Sequence, residues 1–112
     1  MISHDEVRRL ALALPETSEE DHHGRPSFRV AKKIFATLPD GEHVNVMLAP
    51  DDILLASQHE SGACAPRYWG KTLSAVEVDL RRVPAELLGE LLADAWARRA
   101  PKRLLEKSRR AP

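Results

Sequence analysis

The chain has a single cysteine, Cys64, among 112 residues. One thiol cannot close an internal disulfide, and no Cys-x-x-Cys spacing offers the ligand set of a structural zinc site. A reducing compartment is the natural setting for such a chain. Nowhere does a segment approach the roughly 20 apolar residues that span a bilayer. The opening "MISHDEVRRLALALPE" mixes acids and bases ahead of a very short apolar run, unlike the ordered regions of a secretory leader. A cytoplasmic protein with no membrane attachment is expected. Glycine is sparse, and the five present are scattered, so no phosphate-cradling loop is formed and nucleotide-driven chemistry is not expected. Excess charge is missing too: 17 bases balance 17 acids, which weakens any case for strong non-specific nucleic-acid binding.

What remains is the composition of a globular domain, with 43% apolar and 30% charged residues. A chain of this length makes one domain, residues 1–112, and buries about two thirds of its unfolded surface around one core. The balanced charge is unevenly spread. Met1 to Pro66 carries 6 bases against 11 acids, and Arg67 to Pro112 carries 11 against 6, so the halves stand at −5 and +5. Much of the positive half lies in the last eighteen residues, "AWARRAPKRLLEKSRRAP", where seven Arg and Lys face one Glu. Such a block is either a polyanion-binding tail or a solvated helix face.

Periodicity gives the elements. Ser3 and Glu6 form a capping box, and Val7, Leu10, Ala11 and Leu14 recur at helical spacing, which predicts a helix from His4 to Leu14. "SFRVA", "KIFATL" and "HVNVML" read as short antiparallel strands. In "LPDGEH", Pro39 and Asp40 favour a turn and Gly41 is expected to supply positive φ, pairing Ile34–Leu38 with Val44–Leu48. Pro50 and two acids predict a short helix from Pro50 to Ser57. "HESGACAPRYWGKTLS" shows no sustained period and reads as a long irregular loop. "AVEVDLRRV" alternates as a half-buried strand with Val76, Val78 and Leu80 on one face. From Pro84 to Arg99, Leu87, Leu88, Leu91, Leu92, Ala95 and Trp96 form the apolar stripe of the longest helix. Pro101 ends it, and "KRLLEKS" follows as a short helix that docks Leu104 and Leu105.

Few of these residues suggest chemistry. In "EEDHHGRPSFRVAKKIFA", adjacent His22 and His23 should point to opposite faces of a strand, and no His pair at i, i+4 exists, so a polar edge strand is expected rather than a metal site. Cys64 or Ser61 would need a base, His59 being nearest in sequence, and neither sits in a nucleophile signature, so no catalytic residue and no cofactor are expected. Arg67, Tyr68, Trp69 and Lys71 place an aromatic pair between cations, which suits either stacking on a base or tucking over the core edge. Lys32 and Lys33, with Arg29 nearby, read as a solvated basic turn.

The order of "LALPE", "GRPSFRVAKKIFATL", "APRYWGK" and "AWARRAPKRLLE" resembles the MmcQ/YjbR family of small bacterial proteins over nearly the whole chain. The resemblance implies an α+β fold of two layers, an antiparallel sheet covered on one face by helices, like that of CyaY-like proteins and secretion chaperones. It makes the "GRPSFRVAKKIFA" segment the family's hallmark hairpin, conspicuous because it organises the sheet. It also implies DNA binding, a label that rests on the shape of the fold, and it supplies no catalytic residues. One departure is that Leu73 or Ala75 stands where similar members carry a tryptophan after the glycine. The expected function is therefore a non-enzymatic binding module, with DNA bound weakly and salt-sensitively through Arg67, Trp69, Lys71, Arg98, Arg99, Lys102 and Arg103. The alternatives are a protein-interaction or chaperone-like module using the open sheet face, and a small-ligand or enzymatic site beneath the Glu60 to Lys71 loop.

Overall fold

Ser3 caps the first helix as expected, its hydroxyl accepting the Glu6 N–H at 3.1 Å. The helix, α1 (His4–Leu12), stops two residues before Leu14, because the residue ahead of Pro15 is disfavoured in helical conformation. The computed structural model describes the backbone of residues 1–110 and the side chains of residues 1–107. Among them the chain continues through β1 (Thr17–His22), β2 (Arg25–Val30), β3 (Lys33–Thr37), β4 (His43–Val46) and α2 (Pro50–Ser57). It ends with β5 (Cys64–Trp69), β6 (Thr72–Asp79), α3 (Ala85–Arg99) and α4 (Lys102–Arg110).

The strands form one antiparallel sheet in the order β1-β2-β3-β4-β6-β5. Two adjacent cross-strand rows explain its two faces. Phe28, Ala36, Val46 and Val76 lie opposite one another across β2, β3, β4 and β6, and all four are fully buried beneath the helices. The neighbouring row, Ser27, Thr37, Asn45 and Glu77, points to the other face by strand alternation. Among the described residues the helices pack on the Phe28 side, yet Ser27 and Asn45 are buried and so is Met47 beside them. The open face is therefore recessed rather than flat. Register irregularities interrupt the pairing at Phe28/Arg29 and at Arg67/Tyr68.

On the covered face, α3 presents Leu88, Leu91, Leu92, Ala95 and Trp96 to the core, in the phase the sequence predicts. Trp96 also donates its indole N–H to the Pro15 carbonyl at 2.9 Å, tying α3 to the end of α1. Leu104 of α4 is buried in the same core, with Leu105 partly buried beside it. Among the described residues, no helix is long and apolar enough to cross a membrane.

Three expectations need correction. The stretch read as a long loop contains β5 and the start of β6, which pair at the sheet edge, where Pro66 costs no ladder bond on its outer side and its neighbours stay exposed. Edge exposure erased the alternation that would have marked it. Gly41 is not in the left-handed region, because the Asp40 carboxylate takes the Glu42 N–H at 2.7 Å and closes the turn with a side chain instead. His22 and His23 do not part company, since the chain turns at His23 (φ 54) and Gly24 (φ 82), which brings the two rings to 4.4 Å between centroids.

Candidate nucleic-acid interface

The hairpin β2–β3 builds the recess. Its two-residue turn places Ala31 (φ 50) and Lys32 (φ 67) both in the left-handed region, the conformation that matches strand twist but that favours Asn and Gly. Lys33, the first residue of β3, follows directly, and Lys32 and Lys33 both line the recess at this end. Farther along, Arg29 stands between Ser27 and the edge strand, donating from Nε to the Ser27 hydroxyl at 3.1 Å and from Nη2 to the Asp21 carbonyl at 3.3 Å. Ser27 is itself fixed by donating to the Glu20 carbonyl at 2.7 Å. Arg25 and the His22–His23 pair close the far end, at the β1–β2 turn.

These groups surround a cavity of about 670 Å³ whose floor is Ile34, Thr37 and Met47. Five cations line it, Arg25, Arg29, Lys32, Lys33 and Arg99, and no carboxylate does. Among the described residues, none of the five has an acid within ion-pair distance. Glu20, the acid that β1 presents on this face, accepts a bond from Ser18. Arg99 reaches the recess from the end of α3, with a buried Nε that has no hydrogen-bond partner among the described residues. Burial, and the neighbouring Arg98 charge after it, lower its pKa from the usual arginine value. An anion placed here would satisfy groups that the protein leaves without counter-charge.

The residues singled out from sequence divide sharply around this site. Trp69 and Arg99 line the recess. Trp69 is half exposed rather than tucked over the core, projecting from β5 on the side it shares with Ala65 and Arg67. Arg67 is engaged by Glu77 at 2.9 Å. Lys71 is exposed in the β5–β6 turn. Arg98 lies on another side of α3, by Leu105, Asp52 and Asp94. Lys102 is exposed in the first turn of α4, and Arg103 forms a two-pronged pair with Glu16 at 3.0 Å on each prong. That bond raises the Arg103 pKa and lowers that of Glu16. The side chains of Arg109 and Arg110 lie outside the described residues.

Arg25, Arg29, Lys32 and Lys33 come from the half of the chain with net negative charge. A signal for them existed: from His22 to Pro39 the sequence has four bases, two histidines and no acid. Averaging over half the chain hid that window.

Other reactive groups are structurally committed. His59 Nδ1 lies 2.9 Å from the Ser61 hydroxyl, but it also accepts the Ser61 backbone N–H at 3.1 Å, while Ser61 Oγ accepts from Ala63 N at 3.3 Å. The set closes a tight turn ahead of β5. Cys64 is buried, and burial raises its thiol pKa, which suppresses the thiolate form a nucleophile needs.

Comparison with known proteins agrees with this architecture. No curated protein matches the chain. The crystal structure of the Deinococcus radiodurans protein DR2400, described by a DUF419 domain, is similar at a TM-score of 0.73 and 24% identity, covering 96% of this chain and 88% of that one. At that identity the likeness establishes the fold. The YjbR family model matches residues 12–98, from the end of α1 to the last turn of α3 and well over half the chain, and the protein belongs to the YjbR family.

Proposed function

We propose that this YjbR domain is a non-enzymatic binding module that takes nucleic acid on its open sheet face. The observation that carries the reading is the recess lined by five cations without a carboxylate within ion-pair distance among the described residues. Charge left uncompensated in one concavity concentrates potential there, even in a chain of zero net charge. The opposite pole lies between α2 and α3, where Asp52, Glu90 and Asp94 line a separate groove and burial, then Asp52, raises the pKa of Asp94.

Phosphate contacts of this kind are electrostatic. Three or four of them imply a log affinity against log salt slope of roughly −2 to −4, with binding fading toward physiological salt. Anisotropy titration of a labelled oligonucleotide at several salt concentrations tests this against the double variant Arg29→Gln/Lys33→Gln. The variant should bind about tenfold or more weakly, with a slope shallower by about 1.5 to 2. Parent-like affinity and slope in the variant would remove the recess from consideration.

A further inference from the structure

We infer that the recess selects single-stranded over double-stranded nucleic acid, with one base stacked on Trp69; the inference rests on the polyanion reading of the same face. The cations account for phosphate, but they do not account for the rest of the lining. The floor offers Ile34, Thr37 and the thioether of Met47, and one end offers an indole that is 50% exposed. A duplex turns its base faces inward and presents only phosphates, sugars and base edges, so neither the apolar floor nor the indole would gain from it. An unpaired base brings a π-face and an apolar edge to both.

Placement favours the same conclusion. Trp69 and the β2–β3 turn lie at one end of the sheet, because β2 and β5 run in the same direction through the alternating antiparallel order. Lys32 and Lys33 share that end, Arg29 and Arg25 continue the cationic track toward the other, and Arg99 lines the same recess. Duplex-reading proteins push a helix or a ribbon outward into a groove about 12 Å wide, whereas these cations are gathered around a hollow. A thin chain can enter it. The His22–His23 pair at the far end, with rings tilted 59° to each other, supplies a second planar surface. Strands of five or six residues cover roughly 17 to 20 Å, so the site holds only a few nucleotides.

The molecule carries its own reporter. Trp96 is buried, and its indole N–H is engaged by the Pro15 carbonyl, so ligand quenching of tryptophan emission reads Trp69. The test titrates the full chain with a labelled thymidine oligomer, with a self-complementary duplex of equal length, and with thymidine monophosphate, at low ionic strength. The single strand should bind several-fold more tightly than the duplex and quench emission. Trp69→Ala should weaken single-strand binding by at least about fivefold while leaving duplex binding unchanged, and Trp69→Phe should recover part of the loss. Equal binding of strand and duplex, unaffected by Trp69→Ala, would overturn the inference while leaving the polyanion reading standing. Quenching by the monophosphate with no gain from added length would overturn it in favour of a small-anion site. If Arg29→Gln/Lys33→Gln binds both oligonucleotides like the parent, the reading beneath it falls.

Discussion

The two faces of the sheet are made from alternate residues of the same strands, and they solve different problems. On the covered face, Phe28, Val30, Val44, Val46, Val76 and Val78 meet α3 and the other helices, and each is fully buried. On the open face, charge decides the character, and it does so differently on its two halves. Along β5 and β6 the ions are matched, Arg67 with Glu77 and Arg81 with Asp79. Along β2 and β3 they are not. A surface that neutralises itself on one side and leaves cations unpaired on the other has a preferred docking side without needing net charge.

The largest effect expected of any single change lies on the covered face. Leu92 is fully buried in the stripe of α3, and truncating such a side chain loses its transfer free energy and leaves a cavity. Leu92→Ala should cost about 2 to 5 kcal/mol, a large share of a small domain's stability. Chemical denaturation measures it. An unchanged midpoint would mean that the division between the two faces has been drawn wrongly.

That division was largely readable from sequence, and the reason is periodicity. The α3 stripe and the alternation of Val76, Val78 and Leu80 repeat the geometry of helix and strand over enough residues to fix a phase. β5 was not readable for the converse reason. An edge strand buries only Cys64, so Ala65 to Trp69 had no need to alternate. The recess was hidden by a different cause. Its cations come from β2, the β2–β3 turn, the start of β3 and the end of α3, and only the folded arrangement of sheet and helix sets Arg29 and Arg99 around one hollow. Composition could locate the basic window from His22 to Pro39, but not the face onto which it folds.

The matched half of the open face can be probed by acid. Arg81 donates to the Asp79 carboxylate from its side chain and from its backbone N–H, which lowers the Asp79 pKa from 3.8 to about 2. A carboxylate depressed in the folded state contributes stability that is fully present above its unfolded pKa and is lost as pH falls through the folded value. The Asp79 contribution should therefore disappear between about pH 4 and pH 2. Asp79→Asn should flatten that part of the stability profile and leave oligonucleotide binding untouched. A variant profile parallel to the parent's down to pH 2 would show that the pair does not respond to protonation.

On the unmatched half, a smaller gain is expected from relieving the strained turn. Lys32 sits at φ 67, where a side chain is disfavoured and glycine is not. Lys32→Gly should stabilise the fold by roughly 0.5 to 1 kcal/mol, reduced by the greater freedom glycine gives the unfolded chain. The same change removes a recess cation and should weaken oligonucleotide binding modestly. Opposite signs in the two measurements would support strain kept for function. Lower stability in the variant would mean that the lysine stem packs well enough to outweigh its backbone cost.

The smallest effect should come from the region that charge counting favoured most. Arg103 belongs to the basic C-terminal block, yet it is spent on Glu16, and both side chains of the pair are more than half exposed. Exposed pairs gain little, because water and salt screen them and two long side chains must be held in place. Arg103→Gln should leave the denaturation midpoint within error of the parent. Because the arginine is already matched by an acid and lies outside the recess lining, oligonucleotide affinity and salt slope should also stay put. This separates uncompensated cations from mere abundance of cations as the source of binding. If Arg103→Gln weakened binding as much as Arg29→Gln/Lys33→Gln, the C-terminal block would carry the contact and the open face would lose its claim to it.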